Sequence, residues 1–549
     1  MSDNTTPPIE RLLKLIHNEK KDLVVLVYLS FGYSLITVAT PIAIQILVNN
    51  VTMGGVMQPL IVTSIILFGL LILSGLIFVL EAYVVELIER RLFVNTAMRV
   101  AKKTQGAVID IYDKNNPVEL VNRFFDITTI QKSAASLLTV GLIASIQIII
   151  GSIVIIFYSL YFAIIIAALF VFFWIILRVF GKNATQTAID ESQAKYATAD
   201  WLETIPGNFY LFKFYNGLQL AETRTNKLAN DYLSKRSKHF GHLFKQLFGA
   251  VIFYAFIATA MLLVGGMLVV NSQINLGQFV ATELIFFGIL AAFIRIVALL
   301  SDYYDIMAAV HKIGVLDDLP QEEIKKDQAS LYVLDKLAVE NVSFPYNDHV
   351  TAIQNVSFKL SKGSSLAIMG TSGTGKSTII DLITALRNPN KGQIEYNGID
   401  LRQINHQSLR NTIGIAKNIE VFEGSILNNI RLGDRDITIS HINEVLDNLS
   451  LADGFSQLEY GLDTVLSSFG APLSTTQLQR LMLARAIVTN PELLIIDGLI
   501  DNFNQAQTEI VIDYLKTIKQ NCMLILTTRS EHIAGQFDQQ LMLADFMRT

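Results

Sequence analysis

Residues 370–377 have the residue types and spacing of a phosphate-binding loop. The segment is Gly-Thr-Ser-Gly-Thr-Gly-Lys-Ser, which fits the pattern G-x-x-x-x-G-K-[ST]. An apolar run at 366–369 precedes the loop and another at 379–383 follows it, so the loop joins a predicted strand to a predicted helix. In that context backbone N–H groups cradle phosphate oxygens, with the positive end of the helix behind them. The segment predicts a nucleotide-binding site; a glycine turn that only caps a helix is the simpler alternative.

The predicted site uses the whole loop and the first turn of the helix after it. Lys376 is expected to reach the terminal phosphates, and Ser377 to offer its hydroxyl to Mg²⁺. The other predicted contacts are Gly370, Thr371, Ser372, Gly373, Thr374, Gly375 and Thr378.

The composition indicates a membrane protein and gives no sign of a nucleic-acid partner. Hydrophobic residues make up 51% of the 549 residues, and charged residues only 17%. The formal net charge is −5, so no basic bias favours binding to nucleic acid. The single cysteine, Cys522, cannot form an internal disulfide and is predicted to be a core residue of a strand.

Long uncharged runs predict six membrane-spanning helices, each needing about 20 apolar residues. The first run is too long for a signal-peptide core and is predicted to remain as a span. The third run is about twice the length of one span, so it is predicted to form two helices joined by a tight turn at 158–161. The runs cover residues 23–48, 59–80, 134–177, 247–270 and 277–300.

The distribution of basic residues predicts the orientation of these spans. The short connections 49–58 and 271–275 contain no Lys or Arg, whereas 89–132 and 178–245 contain many. The positive-inside rule therefore predicts that both chain ends are cytoplasmic. The two long basic stretches have helical apolar spacing, so they are predicted to extend the spans into the cytoplasm as helical hairpins.

Four charged residues lie in or next to the predicted spans. Glu81 and Glu86 follow the second run and are predicted to lie in its cytoplasmic extension. Glu283 and Arg295 interrupt the sixth run and are separated by about 18 Å along a helix and about 120° around it. They cannot pair with each other, so each is expected to face a neighbouring helix, a cavity or an interface; a role in the transport path is left open.

Composition shifts along the chain predict its domain organisation. Residues 1–20 are a predicted polar N-terminal segment, and 21–310 a transmembrane domain with six spans. Residues 311–336 are rich in charge around a proline and are predicted to be a linker. Apolar strands alternate with helices in 337–549. The predicted fold class is a membrane all-α six-helix domain followed by an α/β P-loop NTPase domain.

This arrangement resembles one half of an ATP-binding cassette (ABC) exporter of type I architecture. The segment 339–346 looks like the family's first strand, whose final tyrosine, here Tyr346, stacks on adenine. The segment 493–497 looks like the Walker B strand, and Asn418 occupies the position of the family's Q-loop glutamine. The resemblance implies ATP and Mg²⁺ as cofactors. The implied Mg²⁺ ligands are Ser377, Asn418 and Asp497.

A second motif of the family lies at 473–477, where the signature LSGGQ belongs. In the family this segment contacts the ATP held by the partner chain of a dimer. Two threonines take the place of the two glycines of the signature. The implied signature residues are Leu473, Ser474, Thr475, Thr476 and Gln477.

Other departures from the family pattern fall on its catalytic positions. Gly498 stands where the glutamate that activates water belongs, and Thr528 stands where the switch histidine belongs. Asn504 replaces the D-loop aspartate, and Asp501 is the nearest downstream carboxylate that could substitute as a base. General base catalysis is typically worth about 10² to 10⁴ in rate. The resemblance therefore implies ATP binding with weak or no hydrolysis; no catalytic residue is assigned, and enzymatic activity is left open.

The resemblance implies two alternative functions. In one, the chain is an exporter subunit in the cell (inner) membrane that dimerises through its cytoplasmic nucleotide-binding domain, as a homodimer or with an intact half-transporter. Pro41 and Gln45 in the first span faintly resemble peptide and protein exporters. In the other, the chain binds ATP as a transport-inactive scaffold or regulator of another membrane complex. Its length is expected to leave no room for an N-terminal peptidase domain.

Overall fold

The computed structural model divides the chain into two compact units. The units are Met1–Gln321 and Glu322–Thr549. The structure describes residues 6–52, 54–114, 116–323, 328–347 and 350–543, without the side chains of 346, 347 and 350–352.

The first unit is helical. Its helices are α1 (Pro8–Asn18), α2 (Lys20–Thr37), α3 (Ala39–Thr52), α4 (Met57–Gln105), α5 (Ile109–Lys114), α6 (Pro117–Asn122), α7 (Asp126–Ser136), α8 (Leu142–Tyr158), α9 (Leu160–Ile175), α10 (Ala184–Gly207), α11 (Phe209–Lys213), α12 (Gly217–Val270), α13 (Leu276–Ala298) and α14 (Leu300–Asp317). Short 3₁₀ or π turns at Arg123–Phe125, Leu137–Gly141 and Ile176–Phe180 connect some of them.

Six helical segments of the described chain are long and apolar enough to cross a membrane, which confirms the predicted number of spans. They are Lys20–Thr52, Met57–Gln105, Pro117–Tyr158, Leu160–Phe180, Gly217–Val270 and Leu276–Asp317. The turn predicted within the long uncharged run lies at Ser159, whose backbone is extended and whose hydroxyl accepts a hydrogen bond from the N–H of Tyr161. That turn separates α8 from α9. The long helices α4 and α12 also carry the predicted extensions beyond the apolar runs.

Two boundaries differ from the sequence prediction. Residues 8–18 of the N-terminal segment predicted as polar form helix α1, in which Leu12 and Leu15 pack against an apolar cluster that includes Val310 and Ile313. The predicted linker 311–336 begins too early. Helix α14 continues to Asp317, since its buried apolar positions continue past residue 311. The charged residues around the end of α14 led to the prediction of a linker where the apolar helical periodicity continues.

The charged residues of the spans have different surroundings. Glu81, predicted to lie in a cytoplasmic extension, is fully buried, and its Oε1 accepts a hydrogen bond from the Ser30 hydroxyl at 2.5 Å. Arg295 donates to Gln147 on α8 at 3.0 Å and not to Glu283, as the spacing along the helix predicted. Glu283 is buried beside Gly265 of α12, and neither carboxylate oxygen has a hydrogen-bond partner among the described residues.

The second unit combines strands and helices. Its strands are β1 (Lys336–Asn347), β2 (Val350–Ser361), β3 (Ser365–Met369), β4 (Lys391–Tyr396), β5 (Ile399–Asp400), β6 (Ile413–Ala416), β7 (Gly424–Ser425), β8 (Val465–Leu466), β9 (Leu493–Asp497), β10 (Met523–Thr528) and β11 (Gln539–Met542). Its helices are α15 (Lys376–Ile383), α16 (His406–Arg410), α17 (Ile426–Arg431), α18 (Ile439–Asn448), α19 (Ala452–Ser456), α20 (Thr475–Ile487), α21 (Gln505–Ile518) and α22 (Glu531–Ala534).

A parallel sheet with the strand order β11-β3-β10-β9-β6 forms the centre of this unit. Strands β3, β9 and β10 are mainly apolar and almost entirely buried. This composition is typical of parallel strands that are covered on both faces. A four-stranded antiparallel sheet has the order β2-β1-β4-β5, and the short strands β7 and β8 pair antiparallel with each other.

The parallel register aligns the carboxyl ends of these strands. Thr527 is paired with Asp497, and Thr528 with Met369. Ligands of open α/β sheets bind beyond the carboxyl ends of the strands, so the segments that follow β3, β6, β9 and β10 share one edge. All the candidate nucleotide-site residues except Tyr346 follow these four strands.

Candidate nucleotide-binding site

The phosphate loop runs from the end of β3 into α15. Gly375 caps the helix with a φ of +90°, in the left-handed region that glycine adopts without strain. The side chain of Thr374 is buried in the loop and donates to the carbonyl of Thr371 at 3.0 Å. Ser372 and Ser377 are exposed, and Thr378 is buried on the first turn of α15. The loop therefore has the strand, turn and helix geometry that the sequence predicted.

The side chain of Lys376 folds back over the loop. Its Nζ donates to the carbonyls of Gly370 and Thr371, at 2.7 Å in each case. Burial lowers the pKa of the Lys376 ammonium, and the nearby carboxylates of Asp501 and Asp497 partly offset that effect. The ammonium thus lies within the loop, where phosphate oxygens would replace the two carbonyl acceptors.

Asp497 ends strand β9 at the edge of the sheet next to the loop. Its Oδ1 accepts a hydrogen bond from the Thr527 hydroxyl at 2.6 Å, which holds the carboxylate across the neighbouring strand. Asn418, which follows β6, is exposed. Strand order therefore brings the predicted Mg²⁺ ligands Ser377, Asn418 and Asp497 to the same sheet edge.

Lys417 is a charged residue of this edge that the sequence analysis missed. Its Nζ lies 2.8 Å from Asp381 Oδ1 and 4.0 Å from Asp497 Oδ2. Asp381 also pairs with Arg387 at 3.3 Å. The position of Lys417 immediately before Asn418 was the one available signal, and it does not reveal which carboxylates the ammonium meets.

Gly498 and Thr528 are the residues at the positions predicted to be catalytic. Gly498 has no side chain and a φ of +68°, so a larger residue there would be strained even though a Cβ would meet nothing within 4 Å. Thr528 is fully buried and donates its hydroxyl to Asp501. The other oxygen of Asp501 accepts from the backbone N–H of Arg529 at 3.0 Å. Asp501 is therefore engaged in local hydrogen bonds, which disfavours it as a replacement base.

The signature segment forms the start of helix α20. Ser474 is the N-cap, and its hydroxyl accepts from the N–H of Gln477 at 3.3 Å. The side chain of Gln477 accepts from the N–H of Ser474 at 2.9 Å, which completes a capping box. Leu473 is buried in the core, while Thr475 and Thr476 occupy the first helical turn, the former exposed and the latter half-buried. The threonines replace the bare backbone of the signature with side chains.

Two further predicted positions have mixed outcomes. Asn504 is the N-cap of α21, and its Oδ1 accepts from the N–H of Gln507 at 2.9 Å. An asparagine serves that role as well as an aspartate does. Tyr346 belongs to β1, but its side chain lies outside the described residues, so the adenine contact stays a prediction.

Family models of ABC transporter domains match parts of both units. Residues 23–293 match the model for the ABC transporter transmembrane region, and residues 353–499 match the model for the ABC transporter. The fold is similar to the structure of a bacterial Atm1-family ABC exporter with ATP bound, with a TM-score of 0.82, 20% identity and coverage of 96% of this chain and 94% of that chain.

Curated relatives include leukotoxin translocation ATP-binding proteins. The chain is 29% identical over 264 residues to the leukotoxin translocation ATP-binding protein LktB of Mannheimia glucosida, and 28% identical over 264 residues to LktB of Mannheimia haemolytica. Each match spans 48% of this chain and only 37% of the relative's length. The chain therefore has a six-helix ABC transporter transmembrane region followed by an α/β ABC transporter nucleotide-binding domain.

Proposed function

We propose that this chain is the weakly hydrolysing subunit of an ABC exporter dimer: it binds Mg-ATP at its own phosphate loop and cleaves it slowly. The observation that carries the proposal is a complete phosphate loop with Lys376 and Asp497, next to Gly498 and Thr528 at the catalytic positions. The chain keeps the groups that hold phosphate and lacks the side chains that would activate water and contact the γ-phosphate.

Nucleotide binding is supported by the chemistry of the loop and the sheet edge. The ammonium of Lys376 and the N-terminus of α15 supply positive charge to the phosphates. The Ser377 hydroxyl, the Asp497 carboxylate and the Asn418 amide are oxygen donors of the kind Mg²⁺ prefers, and Asp497 is oriented by Thr527. When bound, Mg²⁺ would neutralise negative charge on the phosphates.

Weak hydrolysis is supported by the residues at the two predicted catalytic positions, Gly498 and Thr528, neither of which carries a carboxylate or an imidazole. Gly498 offers no group to accept a proton from water. The Asp501 carboxylate is nearly buried and accepts hydrogen bonds from Thr528 and Arg529. Because general bases typically contribute about 10² to 10⁴ in rate, their loss leaves binding intact and turnover low.

The signature segment supports a dimer in which each ATP lies between two chains. Half-transporters of this family act as dimers, and the partner is either a second copy of this chain or an intact half-transporter. A heterodimer is favoured by the damage to both the catalytic and the signature positions, since a homodimer would have two doubly impaired sites. The similarity to a leukotoxin translocation protein supports a peptide or protein cargo.

The competing function is that of an ATP-binding scaffold or regulator that moves no cargo. It is favoured by Thr475 and Thr476 in the signature, because these add to the departures at Gly498 and Thr528. Identification of the proteins that co-purify with this chain from native membranes distinguishes the two. An intact half-transporter with the glutamate and the histidine supports the exporter, whereas a different membrane complex without such a chain supports the scaffold.

The purified full-length chain is expected to bind Mg-ATP and to turn it over far more slowly than the common enzyme median of about 10 s⁻¹. The reason is the missing base beside an intact phosphate loop. Phosphate release in lipid nanodiscs, measured together with ATP binding on the same sample, tests this. Turnover near that median by the chain alone would refute the account of Gly498 and Thr528.

We also propose that both termini and the nucleotide-binding domain are cytoplasmic, in the cell (inner) membrane. An impermeant thiol reagent added to intact cells is expected to label Thr52→Cys, at the end of α3 on the proposed outer side, and not Lys102→Cys, near the end of α4 on the proposed inner side. The native Cys522 is buried and burial raises the pKa of its thiol to about 11, so the parent chain is the unlabelled control. Labelling of Lys102→Cys from outside would contradict the proposed topology.

A further inference from the structure

Three charged side chains from three different elements meet at the sheet edge below the phosphate loop. Lys417 follows β6, Asp381 lies on α15, and Asp497 ends β9. The Lys417 Nζ is 2.8 Å from the Asp381 carboxylate and 4.0 Å from that of Asp497. The ammonium is therefore positioned between the helix that starts at the phosphate loop and the only carboxylate among the three predicted Mg²⁺ ligands.

Because the carboxylates of this cluster are buried, their free energy depends strongly on nearby positive charge. The side chains of Asp381 and Asp497 are only 6% and 7% exposed. Two poorly solvated carboxylates on adjacent elements need compensating positive charge. Lys417 contributes one positive charge to this cluster, and Arg387 also contacts Asp381 at 3.3 Å. The Lys417 ammonium is thus a fixed positive charge beside Asp497 before any metal is added.

The Lys417 ammonium lowers the electrostatic attraction of this site for a divalent cation. Mg²⁺ is usually held by one or two carboxylates together with substrate phosphates. Asp497 is the single carboxylate of the predicted set, with Oδ1 accepting from Thr527 and Oδ2 facing the Lys417 ammonium. Asn418 is also shorter than the family's glutamine by one methylene group.

We infer that Lys417 supplies, as a fixed ammonium beside Asp497, much of the positive charge that Mg²⁺ would otherwise supply, so that the ATP affinity of this chain depends only weakly on Mg²⁺. The inference rests on the proposed nucleotide binding and adds to it a built-in cation. A fixed ammonium in place of Mg²⁺ agrees with a site that binds ATP and cleaves it slowly. The reason is that Mg²⁺ contributes most where charge develops during phosphoryl transfer.

The test compares ATP binding to the full-length chain in nanodiscs with Mg²⁺ and after chelation with EDTA. The wild-type Kd is expected to change by less than about threefold, whereas Lys417→Met is expected to make binding at least about tenfold weaker in EDTA than in Mg²⁺. Lys417→Arg keeps the charge and is expected to preserve the weak dependence. Lys362→Met is the matched control, because it removes an ammonium that pairs with Glu492 away from the site.

Direct metal binding gives a second readout. With ATP present, Mn²⁺ titrated as a spectroscopic substitute is expected to bind Lys417→Met more tightly than the wild type, by about tenfold. If the ion pair served only to join β6 to α15, Lys417→Met would lower thermal stability and leave the metal dependence unchanged. That result would overturn the inference. Should Lys417→Met fail to fold, the wild-type comparison and Lys417→Gln decide the question.

The outcomes separate this inference from the proposed function. ATP binding by the wild type that disappears on chelation, with the same loss in Lys417→Met, overturns the role of Lys417 and leaves nucleotide binding intact. Absence of ATP binding with and without Mg²⁺ overturns the proposed function and the inference with it.

Discussion

Replacing Lys376 with alanine is expected to weaken ATP binding by about 100-fold or more, since charge-assisted hydrogen bonds contribute about 1.5–3 kcal/mol each. The ammonium already lies within the loop, bonded to the carbonyls of Gly370 and Thr371 at 2.7 Å. A phosphate that enters the loop can accept hydrogen bonds from this ammonium with little rearrangement of the lysine side chain. Equilibrium binding of labelled ATP to the full-length chain in nanodiscs measures the loss.

The control must show that the loop itself survives the change. Lys516→Ala removes the same charge from an exposed pair with Asp513 on α21 and is expected to leave ATP binding unaltered, because exposed pairs contribute little. Lys376→Met retains the apolar stem and is expected to lose binding as Lys376→Ala does. Binding by either Lys376 variant close to the wild-type level would show that ATP is held elsewhere.

In a heterodimer with an intact partner, restoring glycine at Thr475 and Thr476 is expected to raise ATP turnover more than Gly498→Glu does. One composite site uses the phosphate loop of this chain with the partner's signature and lacks a base. The other uses the partner's glutamate and histidine with the signature at 473–477. Repair of the signature therefore acts on a site that already has its base, and a gain of about 10- to 100-fold is at or below the usual contribution of one preorganised donor.

The local backbone conformation also favours the glycine substitutions at 475 and 476 over Gly498→Glu. Gly498 has a φ of +68°, so a glutamate there requires a conformation that residues with a Cβ disfavour. Thr475 and Thr476 lie on the first turn of α20, where Ser474 and Gln477 already form the capping box. Glycine at these positions costs helix stability of about 1 kcal/mol or less each, but it leaves the cap in place.

Steady-state phosphate release from the purified heterodimer measures both repairs. Each variant is compared with the parent dimer after equal incorporation of the two chains has been verified. Thr475→Ser with Thr476→Ser is the control, because it shortens both side chains and keeps a β-carbon at each position. A larger gain from Gly498→Glu alone would mean that the working site lies on this chain, and the model with an intact partner would have to be abandoned.

Local patterns in the sequence predicted the membrane spans and the phosphate loop, in their order along the chain. Uncharged runs long enough to cross a bilayer predicted six spans, and the break at Ser159 followed from the excess length of one run. The phosphate loop was predictable because its glycines, its lysine and its flanking apolar runs are neighbours in the chain. Chain-adjacent residues constrain one another directly, so these features need no knowledge of distant contacts.

Only the tertiary structure decided how charged side chains pair. Glu81 is buried against Ser30, which lies 51 residues away, and Lys417 meets Asp381 from a distance of 36 residues. Thr528 bonds to Asp501 across 27 residues. These contacts depend on helix packing and on the parallel order of β3, β10, β9 and β6, which no local periodicity specifies.

The candidate site also has some features that the sequence predicts and others that only the tertiary structure shows. The sequence by itself predicted which residues could hold phosphate and placed Gly498 and Thr528 at the predicted catalytic positions, because side-chain chemistry at a motif position is local information. The tertiary structure decided that Asp501 is engaged with Thr528 and Arg529, and that an ammonium faces Asp497. The physical reason is that free energies of buried charges depend on neighbours in space, and a parallel sheet brings those neighbours together from distant parts of the chain.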